Sequence, residues 1–514
     1  MYAERKRTVF FQALIAASGL FAACTYQVGS VELFLVFSPD SDQNPLDPNL
    51  VRSLRLTASG PGMETYRMEI KPAGRGGTLA DLPVGKDRQI LVEGLGSLGE
   101  VLASGLSRPF EAGSDNRLYV YFSLTGRFSG PPAGRSGIDT QWARYYRTAF
   151  LEKRFFHAQA LFNPGELFIC GGALAPDDED FSGLIEATGL RTVEVLDAYA
   201  GALRADLPSV DCSRGMLCLQ QARARHEIVP LADGSHALVV GGEPPSNQWP
   251  VELFERESLG FLRTSAPARS RLRPAVARLE DQVVVAGGLE ADSRRLSDEV
   301  SVYRNGFFTD YSGLLSEARS GAQAVALKEQ RLVLVIGGWK TLGAADDWRA
   351  SDAVDVLDFS GAQPKNESFR LLAPRADHSA ALLPDRTVLV CGGRSAARQI
   401  QAGCEVLNPQ NRTSSESAFS INRWGHSCTV LSGGEILIAG GFSGTLYPLR
   451  AASTAVLITP PRLRQEIPML SARAGHTAAL LPNGMVALAG GVSEVNGHLV
   501  TYPAVDYEFF NPRR

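Results

Sequence analysis

Residues Arg375 to Pro409 read RADHSAALLPDRTVLVCGGRSAARQIQAGCEVLNP. A turn at Pro384-Asp385-Arg386 leads into the apolar run Val388-Leu389-Val390, which ends in Gly392-Gly393. An alternating segment, Cys404-Glu405-Val406-Leu407-Asn408-Pro409, follows after a loop. Upstream, Arg375 and His378 stand three residues apart before a short apolar stretch. Turn residues bounding short apolar and alternating runs predict successive antiparallel strands.

The same pattern recurs. A hydrophobic run ends in Gly-Gly at Gly171-Gly172, Gly241-Gly242, Gly287-Gly288, Gly337-Gly338, Gly392-Gly393, Gly440-Gly441 and Gly490-Gly491. The doublets return roughly every fifty residues, the period of an array of supersecondary units, and only the first interval contains a long insertion. Arg-x-x-His precedes five of them, at Arg154/His157, Arg223/His226, Arg375/His378, Arg423/His426 and Arg473/His476. Repeats three and four keep Arg271 and Arg319, with Pro274 and Ala322 at the histidine position. A third strand follows each doublet, as in Val193-Glu194-Val195-Leu196-Asp197 and Val354-Asp355-Val356-Leu357-Asp358; its alternation predicts one buried face and one wet face.

From about residue 150 onward this combination resembles the Kelch family. The resemblance implies a β-propeller of about seven four-stranded blades over 142–514, with function in its loops. The tryptophan that usually marks the fourth strand is missing; Phe261, Phe307, Phe308 and Phe369 are candidate substitutes. The seventh repeat stops at Asn511-Pro512-Arg513-Arg514 after its third strand, so the segment Trp142–Phe150 is expected to supply the outer strand and close the ring.

The N-terminal part is a different unit. Arg5, Lys6 and Arg7 precede mostly apolar residues from Thr8 to Ala23, a secretory signal pattern too short for a comfortable membrane span. Leu20-Phe21-Ala22-Ala23-Cys24 resembles a bacterial lipobox, with Phe21 where leucine is usual. Residues 1–23 are therefore expected as a lipoprotein-type signal peptide and Cys24 as the lipidated residue, which places the protein in the bacterial cell envelope, on the outer membrane or cell surface; an ordinary buried cysteine is the alternative. Residues 24–127 show short alternating strands such as Val31–Phe37 and Leu118–Phe122, expected to form a small β-sandwich, immunoglobulin-like or transthyretin-like. Residues 128–141, rich in Gly and Pro, read as a linker and the sandwich as a spacer.

Formal charge is −4 over 514 residues, and without Glu4, Arg5, Lys6 and Arg7 the remainder is more acidic still. Such a balance argues against nucleic acid or an anionic lipid surface as partner. Only seven of the 51 basic residues are lysine, which carries no mechanistic weight. In an oxidising compartment Cys212 and Cys218 are expected to close a small loop, and Cys391 and Cys404, on neighbouring strands, a cross-strand bridge; Cys170 and Cys428 are expected as buried free thiols.

Five of the seven histidines sit at the repeat position and are explained structurally; residues related by rotation around a ring do not converge on a metal, so no metal and no cofactor is implied. A galactose oxidase type of site needs two histidines and two tyrosines together, and only His236 and His498 lie outside the repeats. An exported Kelch enzyme of the sialic acid mutarotase type remains an alternative, without a distinguished acid–base pair. Asp177-Asp178-Glu179-Asp180 reads as a solvated loop, since it lacks the spaced oxygens of a calcium loop. Trp339, Phe442, Tyr447 and Tyr502 follow the doublets and are candidate stacking residues on one face. The resulting expectation is a lipid-anchored binding module for a protein or glycan partner, with a carbohydrate-active enzyme as the alternative.

Overall fold

A computed structural model describes residues 28–72, 76–113, 116–132, 142–162, 165–174, 189–207, 212, 217–243, 251–341, 348–396, 399–446, 448–459, 463–496 and 499–512. The signal segment, Cys24, the Asp177–Asp180 run, Tyr447, His498 and most of the expected linker lie outside the described residues. The chain is all-β, with many small antiparallel sheets and almost no helix. No described helix is long and apolar enough to cross a membrane.

Seven of the sheets correspond to the seven repeats. The fifth shows the pattern: Ser379–Leu382, Val388–Cys391, Gly403–Asn408 and Thr413–Ser420 pair in that order, all antiparallel. Its second strand is wholly buried, as a run of Val-Leu-Val-Cys requires. The first strands lie beside one another in sequence order, and that of the seventh repeat (Thr477–Leu480) neighbours that of the first (Ala158–Phe162), so the succession closes on itself. Phe261, Phe307, Phe308 and Phe369 all lie on fourth strands.

The glycine doublets pack adjacent sheets. The first glycine of each has φ between 57° and 71° and the second between 92° and 107°, where L side chains are strained. At Gly392 a Cβ would lie 2.4 Å from the Arg423 carbonyl and 2.6 Å from the His426 ring of the next repeat. At Gly393 it would lie 2.9 Å from the Cβ of His378 in its own repeat. The doublets of repeats one, five, six and seven each leave room for two histidines, while those of repeats two, three and four meet Pro274 or Ala322 at one or both of these places.

The third strands differ from expectation. Their acidic residues do not face water: Glu194, Glu252, Asp355, Glu405 and Glu508 are all at most 1% exposed. Each meets the arginine of its own repeat, as in Arg154–Glu194 at 2.9 Å, Arg375–Glu405 at 2.6 Å and Arg473–Glu508 at 2.8 Å. The same guanidiniums donate to the carbonyl of the first glycine, Arg375 to Gly392 at 2.9 Å and Arg473 to Gly490 at 2.6 Å. A buried charge is tolerated only when paired and hydrogen-bonded, so alternation in these strands reports an internal ion pair rather than a wet face. In repeat six Val456 stands at the carboxylate position, and Arg423 instead donates to the Thr454 hydroxyl at 2.6 Å.

The fourth strand of the seventh sheet also differs. It is Arg127–Ser129, paired antiparallel with Tyr507–Asn511, and Phe128 packs on Phe510 with ring centroids 5.2 Å apart. The expected donor, Trp142–Phe150, instead forms a short helix, Trp142–Tyr145, and a strand, Tyr146–Arg147, on the outer edge of the first sheet. Residues 127–129, placed by the sequence at the sandwich end and the start of a linker, are part of the repeat array.

The preceding unit has two sheets. One holds Gly76–Pro83, Val28–Val36 and Asn116–Tyr121, the last two parallel; the other is built from Tyr66–Ile70, Ser53–Ser59, Gly85–Leu95, Val101–Leu106 and Ser123–Leu124. Leu33, Leu56, Ile90, Val92 and Phe122 form its core. It docks on the repeat array directly. Asn511, buried, donates from its amide to the carbonyls of Ser104 at 3.3 Å and Ser123 at 2.9 Å. Tyr121 donates its backbone N–H to Tyr199 at 2.6 Å and stacks on Phe509 at 4.7 Å.

Two disulfides are present, Cys212–Cys218 and Cys391–Cys404. Cys170 is a buried free thiol, while Cys428 is free but only partly buried.

Candidate functional site

Where the first strands meet, a cavity of about 300 Å³ is lined by residues of all seven repeats. The motif Arg-x-x-His builds it. Its histidine is part of the lining and is held from the side: His157 bonds Thr477 at 2.6 Å, His426 bonds Ser379 at 2.8 Å and His476 bonds Ser427 at 2.9 Å, each reaching the preceding repeat. For His226 and His378 the corresponding residues of the preceding repeat are Ala158 and Gln323, and the two rings have no hydrogen-bond partner among the described residues. Burial first, then the neighbouring arginine, lowers all five imidazoles, His426 to about 4 and His378 to about 3. They are neutral wall supports, and among the described residues no three His, Cys, Asp or Glu cluster as a metal site.

The residue just before the histidine position faces the cavity in every repeat: Phe156, Arg225, Arg273, Gly321, Asp377, Gly425 and Gly475. All seven are left-handed, with φ from 45° at Arg273 to 63° at Gly321. Backbone bonds link them around the cavity, Arg225 to Phe156 at 2.7 Å, Phe156 to Gly475 at 2.8 Å, Gly475 to Gly425 at 3.0 Å, Gly425 to Asp377 at 3.2 Å and Gly321 to Arg273 at 2.8 Å.

On one side, Asp377 accepts from Arg394 at 2.9 Å and 2.5 Å, both to Oδ2, while the Trp339 indole points to Oδ1 at 3.4 Å. The Arg394 guanidinium lies 4.0 Å from the Trp424 ring and 5.2 Å from the Trp339 ring, a cation held between two π faces. Burial alone would raise the Asp377 carboxyl, but Arg394, with help from Arg225 and the Trp339 indole, keeps it below the usual carboxylate range. Across the cavity, Glu227 is open to the enclosed space yet surrounded by protein, and desolvation pushes its carboxyl up to about 7. Arg225 lies 4.4 Å over the Phe156 ring. The cavity therefore offers two carboxylates in opposite states of perturbation, three guanidiniums and a rigid aromatic support.

Of the four aromatics singled out from the sequence, Trp339 lines this cavity, edge buried. Phe442 is fully buried beneath Trp424, centroids 4.7 Å apart, so it supports the wall and does not reach a surface. Tyr502 donates its hydroxyl to the Leu174 carbonyl outside the cavity. Sequence reasoning missed Trp424, Arg394, Glu227 and the ring of left-handed positions. A signal was present: glycine at the pre-histidine position of repeats four, six and seven marks a backbone that disfavours side chains, and four repeats break that rule. The chain matches no protein-family model and no curated protein.

Proposed function

We propose that the seven repeat sheets are the blades of a Kelch-type propeller, exported and lipid-anchored through Cys24 at a bacterial outer membrane or cell surface, and that it is a binding module for a glycan. The closed succession of first strands supports the propeller. The observation that carries the ligand reading is the axial cavity. Its polar wall of Asp377, Glu227 and Gln323 suits the hydroxyls of a sugar, and its volume sits at the small end of ligand pockets, roughly 300–1,000 Å³. A protein partner is disfavoured because Trp339 and Phe442, the aromatics best placed to anchor one, are buried.

A thermal-shift screen of the exported protein against monosaccharides and short oligosaccharides tests this. Ligand at about a hundred times its Kd stabilises by ~2.7 kcal/mol, a visible rise in Tm. A shift that Trp339→Ala weakens supports the site; no shift with any sugar overturns it. One observation favours a second reading, an acid–base enzyme: the Asp377 and Glu227 carboxyls are pushed in opposite directions, the pattern of a base and an acid sharing a cavity. Turnover of a bound sugar, lost in Glu227→Gln with binding retained, would establish it.

A further inference from the structure

Seven structurally equivalent backbone positions ring the axial cavity, all left-handed, and repeats four, six and seven fill them with Gly321, Gly425 and Gly475. Glycine is what that backbone conformation favours, because an L side chain there crowds its own carbonyl. Repeats one, two, three and five carry Phe156, Arg225, Arg273 and Asp377 instead, at φ of 50°, 52°, 45° and 52°. Strain of this kind persists where the side chain serves a purpose, and all four side chains reach the same cavity. The glycine repeats act as an internal control: the fold accommodates glycine at the same position, so packing of the repeat does not demand the larger residue.

Resting on the reading of this cavity as a saccharide site, we propose that its ligand is a small hydroxylated carboxylate, held at its acid group by Arg225 and Arg273 and at its hydroxyls by Asp377. The two arginines occupy consecutive repeats, and each guanidinium carries five N–H donors, more than one or two partners consume. The Arg225 guanidinium carbon lies 4.4 Å from the centroid of the Phe156 ring, a cation–π contact that helps hold it in place. A planar fork of donors is the group best matched to a carboxylate. Asp377 spends Oδ2 on both Arg394 contacts and Oδ1 on one long indole contact, so its remaining lone pairs suit hydroxyl donors. The lining carries three arginines, Arg225, Arg273 and Arg394, and two carboxylates, Asp377 and Glu227. The cavity volume admits one sugar ring rather than a chain.

The test uses the exported protein and a panel of uronates and aldonates beside their neutral parent sugars, with Arg225→Gly, Arg273→Gly and Arg273→Lys. An acid from the panel should bind at least about tenfold tighter than its neutral parent. Each Arg→Gly variant should keep or raise the ligand-free Tm, since glycine relieves the backbone, while binding of that acid falls at least about tenfold. Arg273→Lys, which keeps a charge and loses the fork, should bind between the two. Equal response to acid and neutral sugars overturns this proposal and leaves the saccharide reading standing; no response to any sugar overturns both. A lower ligand-free Tm in both Arg→Gly variants would assign these arginines to structure and also overturn the proposal.

Discussion

Arg375 and Glu405, at 2% and 1% side-chain exposure, illustrate how one residue pair ties a repeat together. The guanidinium spans the first glycine carbonyl, the Gly403 carbonyl and the third-strand carboxylate. Removing one partner strands a charge in the interior, so Glu405→Ala should cost about 3–5 kcal/mol in urea unfolding. Arg423 in repeat six, bonded to Thr454 rather than a carboxylate, predicts that Thr454→Val costs less, about 1–3 kcal/mol. The buried histidines set the acid limit. His426 moves from the ordinary 6.5 to about 4 and His378 to about 3, so both are neutral in either state above pH 6.5. As pH falls below 6.5 the unfolded chain takes up protons that the folded chain refuses, and stability declines until the folded values are reached. At about 1.4 kcal/mol per pH unit for each such group, urea midpoints should fall steeply between pH 6.5 and 4. His426→Gln should flatten that slope, and an unchanged slope would contradict the account.

At the scale of the element, the glycine doublets are where sequence and structure agree most closely. A turn, an apolar run and Gly-Gly demand a buried strand followed by a close approach, and all seven second strands are where those signals put them. Gly392→Ala should therefore destabilise by at least ~2 kcal/mol, because its Cβ would strike a backbone carbonyl as well as adopt a strained φ. Gly99, also left-handed at φ 78° but with open space around it, should cost only about 1 kcal/mol on the same change. What could not be read is equally instructive. Glu194 and Glu508 alternate with apolar neighbours and look solvent-facing; only the arginine arriving from a distant motif reverses that, and a strand pattern carries no information about cross-element partners. Phe442 looked like a loop aromatic because a doublet precedes it, whereas Trp424, which covers it, sits inside the Arg-x-x-His motif and resembles core.

Across the whole molecule, the two-sheet unit and the repeat array share one interface, and Arg127–Ser129 belongs to both the chain of the first and a sheet of the second. Asn511→Ala would leave the Ser104 and Ser123 carbonyls without their buried donor and should cost about 1–3 kcal/mol. A chain beginning at Trp142 would lose the fourth strand of the seventh sheet and bare Phe509 and Phe510, so it should be recovered mainly as aggregate, compared by size-exclusion with a chain beginning at Val28. The closure was foreseeable only in outline: the seventh repeat lacked a strand, but two segments with aromatic and β-branched or basic character lay upstream, and nothing local distinguished Arg127–Ser129 from Trp142–Phe150.

The seating of that strand has a consequence in time. Arg127–Ser129 leaves the ribosome long before Tyr507–Asn511 exists, and Ser104 must wait for a partner 407 residues away. Contacts of such separation are slow to form and keep edges exposed meanwhile. The strand is made among the first and docked among the last, so the chain's most vulnerable interval falls during synthesis, before its own C-terminal strand exists.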